Sequence, residues 1–96
     1  MTPSKPRVLT LAVKAVYFHD IREGRKPEEF RLENEYWTKR IVGQDYDTVV
    51  MTLGYPKSDD HERRIVLPWK GYRIIEITHP HFGDKPVRVF AIDVTG

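Results

Sequence analysis

Between Gly24 and Arg31 the sequence runs Gly-Arg-Lys-Pro-Glu-Glu-Phe-Arg, the densest polar constellation in the chain. Lys26 offers a mobile ammonium whose pKa falls on desolvation. Arg31 offers a planar fork for an anion or a carbonyl, and Glu29 a carboxylate able to move a proton or orient either cation. Alternation of side chains along an extended segment puts Glu29 and Arg31 on one face. With Lys26 leaving the turn ahead of them, a carboxylate and two cations can converge on one cleft, suited to gripping a phosphate or an amide. The plainer alternative is a set of solvated surface ion pairs, which are common and weakly stabilising.

A second carboxylate, Glu76, stands in Tyr72-Arg73-Ile74-Ile75-Glu76-Ile77-Thr78, with isoleucines at positions of both parity. If both faces of that strand are covered, Glu76 needs a cation such as Lys26 or Arg31, or a proton of its own. It is therefore expected beside the polar cleft, as a structural pair or as a working acid. His79 and His81 flank Pro80, and His61 lies upstream. With no cysteine and no helical His pair at ligand spacing, turn-forming histidines are expected and no metal or other cofactor. Rings such as Tyr17, Tyr36, Trp37, Tyr72 and Phe82, with Arg63, Arg64, Lys70 and Arg73 in the same chain, suit base stacking and phosphate contact. They equally suit a small core with solvated arginines. No phosphate-binding glycine loop, nucleophile elbow or dinucleotide fingerprint is present.

These residues need elements to hold them. Val8 to Val13 reads as a first strand, rich in apolar and β-branched side chains. Tyr17 and Ile21 share a helical face in the next segment, which ends at Gly24. Pro27 blocks further helix, so 28–32 reads as a strand. Asn34 as N-cap, the pairs Glu35 with Lys39 and Trp37 with Ile41, and Gly43 beyond mark a second helix. Thr48 to Leu53 is a run of β-formers, and Gly54 to Glu62 has the composition of a polar loop. Ile65 to Leu67, Tyr72 to Thr78 and Val87 to Val94 complete the strands. About five strands and two short helices predict an α+β domain whose mixed sheet curls toward a barrel.

A chain of 96 residues has room for one such domain, and 40% hydrophobic with 31% charged residues supports one core. Residues 1–6 read as a flexible leader and 7–96 as the domain. A net charge of +2 with interleaved signs permits contact with phosphates without arguing for it. The absence of cysteine removes disulfides, thiolate metal sites and a Cys nucleophile, and suits a reducing compartment. No signal peptide or membrane span is visible, so a cytoplasmic monomer is expected.

The pattern GxKxxExR, here Gly24, Lys26, Glu29 and Arg31, preceded by Leu11, Lys14, Tyr17 and Ile21, resembles the ASCH domain, a PUA-like β-barrel family associated with RNA. The resemblance continues through the strand of Glu76 and the closing strand, and points to short, single-domain, phage-type members. It implies a barrel of about five to six strands whose cleft, lined by Lys14, Tyr17, Lys26, Glu29, Arg31, Tyr72 and Glu76, binds RNA or a modified nucleoside. A small branch of the family, the N4-acetylcytidine amidohydrolases, uses a Lys, a Thr and a Glu. These fall on Lys26, on the position of Glu29, and on Glu76, so Glu29 stands where that branch has a threonine. On this resemblance Lys26, Glu29 and Glu76 are the catalytic candidates of a metal-independent hydrolase. A protein-binding module using the loop Tyr55 to Arg64 is the third expectation.

Overall fold

The structure, a computed structural model, describes residues 7–96. The leader read over residues 1–6 lies outside them. Six strands and two α-helices follow one another as β1 (Val8–Val13), α1 (Ala15–Arg22), β2 (Glu28–Leu32), α2 (Glu35–Ile41), β3 (Thr48–Leu53), β4 (Arg64–Pro68), β5 (Tyr72–Ile77) and β6 (Val87–Asp93). Single 3-10 turns at His61–Arg63 and Pro80–Phe82 complete the order.

Local chemistry accounts for most of these boundaries. In β1 the alternate residues Leu9, Leu11 and Val13 are buried, the period of a half-covered strand. In α1 the buried pair Phe18 and Ile21 lies three residues apart on one face. Gly24, at φ +79°, supplies the left-handed turn that ends it, and the amides of Arg25 and Lys26 both donate to the Asp20 carbonyl. The sequence therefore delivers Lys26 in a fixed place just before β2. Asn34 Oδ1 accepts from the Trp37 amide at 2.9 Å and caps α2. Asn34→Ala is expected to lower stability by about 1 kcal/mol, read as a shifted denaturation midpoint with an unchanged slope.

The strands form two three-stranded sheets, ordered β1-β3-β4 and β2-β6-β5. β1 and β3 pair in parallel, with Leu11 opposite Met51, and every other pairing is antiparallel. A parallel pair needs a crossover. Here it runs through α1, β2 and α2, and on the way it hands β2 to the second sheet. Leu11, Phe18, Ile41 and Met51 of the first half pack with Phe90 and Ile92 of β6 in one core between the sheets. No backbone ladder joins the two sheets among the described residues. The closed barrel expected from the sequence is thus not formed by strand pairing. The observed link between β1 and β2 is a side chain: Arg31 Nη2 donates to the Ala12 carbonyl at 2.8 Å. No described helix is long and apolar enough to cross a membrane.

Candidate functional site

The consecutive glutamates Glu28 and Glu29 meet opposite fates because β2 alternates. Glu28 accepts from Nε and Nη2 of Arg73, each at 2.8 Å, and that fork holds its carboxyl below the usual carboxylate range. It is a surface ion pair of the plain kind. Glu29 lies on the face of β2 shared with Arg31, in register with the buried Ile92 and Phe90 of β6. Its side chain is 7% exposed and that of Arg31 19%.

Glu29 Oε1 accepts from the Phe30 amide at 3.0 Å, whereas Oε2 is buried without a hydrogen-bond partner. The nearest cation is Arg31, whose Nη2 sits 3.7 Å from Oε2, an ion pair without a hydrogen bond. Arg31 spends Nη2 on Ala12, lays its guanidinium 5.0 Å from the centre of the Trp37 ring, and leaves Nε buried and unpartnered. Burial pushes the Arg31 pKa below its ordinary value, and the negative charge of Glu29 acts in the opposite direction.

Glu29 and Arg31 line a cavity of about 650 Å³ together with Lys14, Tyr17 and Lys26. The half-buried Lys26 places its ammonium 4.4 Å from the centre of the Phe30 ring and 5.3 Å from that of Tyr17. Both are cation–π distances. Lys14, the residue between β1 and α1, is exposed at the same cavity. The wall beyond Tyr17 is the turn at Pro80–Phe82, with His79 and His81 about 6 Å from the Tyr17 ring. Trp37 of α2 and the exposed Tyr55, which follows β3, also border it.

Two expected residues are elsewhere. Glu76 is exposed, sits opposite Arg88 in the β5–β6 register, and does not line the cavity. β5 is an edge strand and Ile74 itself is 41% exposed, so the double cover assumed around Glu76 does not exist. Arg88 pairs with Glu33 instead, at 3.1 Å. Tyr72 packs edge-on to Phe90 with ring centres 5.4 Å apart and borders a separate shallow depression with Lys70 and Arg73. Neither side chain reaches the ligand space described above.

Other lining residues are Phe30, Trp37, Leu53, Tyr55 and the group His79, His81 and Phe82, of which Trp37 and Phe82 were among the rings expected to suit base stacking. The last group carried a readable clue, a run of rings directly after a strand, where binding residues concentrate. His79 Nδ1 accepts from the His81 amide at 3.1 Å and so acts as the cap of its own turn. Among the described residues no three His, Cys, Asp or Glu side chains gather as metal ligands.

No family model, curated protein or solved structure matches this chain. The cavity itself is the structural guide to function. Its size falls in the range of small-molecule sites, roughly 300–1,000 Å³, and its make-up is the usual one of rings with a few converging polar groups.

Proposed function

We propose that this cavity binds the base of a nucleoside or of single-stranded RNA, and that the chain is an ASCH-type domain. The observation that supports this best is the grouping of rings and cations in one cavity. Tyr17, Phe30, Trp37 and Phe82 offer π-faces, while Lys14, Lys26 and Arg31 offer positive charge to a phosphate or a carbonyl. On this reading the two sheets are the halves of a PUA-like barrel, and the domain works in the cytoplasm as a monomer without a cofactor. A hydrolase built on the same cavity would have to use Lys26 and Glu29, because Glu76 does not line it.

The test is a thermal-shift and NMR titration with cytidine, N4-acetylcytidine, uridine, mononucleotides and short single-stranded RNA. Nucleosides are expected to perturb the resonances of cavity residues with little dependence on salt. RNA should bind with a log K that falls against log salt by about 0.7 per phosphate engaged. Salt-independent RNA binding, or no response to any of these ligands at low ionic strength, would remove the proposal. The exposed loop Tyr55 to Arg64 would then be the place to look for a protein partner.

A further inference from the structure

The buried Glu29 and Arg31 present an unfilled hydrogen-bonding pair. On one side is an acceptor, Glu29 Oε2, and on the other a donor, Arg31 Nε, both buried and both without a partner. The other oxygen of the carboxylate is committed to the Phe30 amide, and Nη2 of the guanidinium is committed to the Ala12 carbonyl. Both residues line the cavity, and Glu29 is the polar lining residue that is fully buried. Buried polar atoms are nearly always satisfied, and an orphaned donor and acceptor on neighbouring side chains call for a partner with the complementary pair.

Charge narrows the partner further. An anion at this depth would face the Glu29 carboxylate, and a cation would face the Arg31 guanidinium, which is 3.7 Å away from that carboxylate. A neutral group with an N–H beside an acceptor satisfies both orphans and meets neither repulsion. We infer that Glu29 and Arg31 select the neutral amide or amidine edge of a heterocycle, the N–H going to Glu29 and the ring nitrogen or carbonyl accepting from Arg31. Phosphate is left to Lys14 and Lys26, which are less buried. This deepens the nucleobase reading and rests on it.

The test compares ligands whose donor N–H is present or fully replaced by N-methyl, on the intact chain. The pairs are uridine with 3-methyluridine, and 2-aminopyrimidine with 2-(dimethylamino)pyrimidine, the latter pair containing no sugar. Binding is followed by NMR at the Arg31 side chain and the Glu29 amide. Loss of the donor leaves the carboxylate unpaired, so the methylated member of each pair is expected to bind about 10- to 100-fold more weakly. Glu29→Ala, checked for folding by its melting transition, should bring that ratio to near one.

Equal binding of methylated and unmethylated ligands would overturn the inference while leaving a base-binding cavity in place. Selective binding of 2-aminopyrimidine with no response to any nucleoside would uphold the edge and overturn the nucleobase reading. If neither pair binds, both fall. Displacement of the Arg31 and Glu29 resonances by acetate or inorganic phosphate at lower concentration than by these ligands would also overturn it, since the pair would then be an anion site.

Discussion

Replacing Arg31 with leucine is expected to lower the unfolding free energy by about 3 kcal/mol, at the lower end of what breaking a buried pair costs. Three losses coincide. Glu29 is left with 7% side-chain exposure and no other cation in ion-pair contact among the described residues. The Ala12 carbonyl loses the hydrogen bond that links β1 to β2. Trp37 loses the guanidinium stacked over its ring at 5.0 Å. Urea denaturation measures the effect, and the double variant Arg31→Leu with Glu29→Met gives the decisive comparison. Removing both charges from a buried site is often neutral or better, so the double variant should recover most of the loss. A single-variant loss below about 1 kcal/mol would mean that the pair behaves as if solvated.

Lys26→Met is expected to weaken binding of a mononucleotide or short RNA by about 10- to 100-fold, the value of one hydrogen bond to a charged group. Methionine keeps the apolar stem against Phe30 and Tyr17, so the change isolates the ammonium held 4.4 and 5.3 Å from those rings. The lysine makes no ion pair among the described residues, and its charge is free to meet a ligand. The unfolding free energy should fall by no more than the cation–π contribution, about 0.5–1 kcal/mol per ring. Titration of the folded variant checks the first statement and a melting curve the second. Full affinity in Lys26→Met would take Lys26 out of the site.

Much of the polar lining of the candidate cavity was legible in the sequence because β2 is short and follows strict local rules. Pro27 and Gly24 forced the turn, alternation put Glu29 with Arg31, and these three features fix where Lys26 emerges. Glu76 misled for a physical reason. Isoleucines on both sides of it signal apolar neighbours, yet an edge strand leaves its faces partly open, and edge position depends on partners distant in the chain. His79 and His81 were visible only as a histidine pair around a proline. Their approach to Tyr17, more than 60 residues earlier in the chain, is a tertiary event.

Strand and helix limits, the Asn34 cap and the shared face of Glu29 and Arg31 were determined by the sequence itself, since each depends on side-chain period or on a neighbour within four residues. The tertiary structure alone decided that the six strands divide into two sheets, that Glu28 meets solvent and Arg73 while Glu29 is enclosed, and that Arg31 spans from β2 to β1. Periodicity tells which residues share a face. Which face is covered, and by what, is settled only when the crossover carries β2 away from the strands beside it in sequence and lays it against β6.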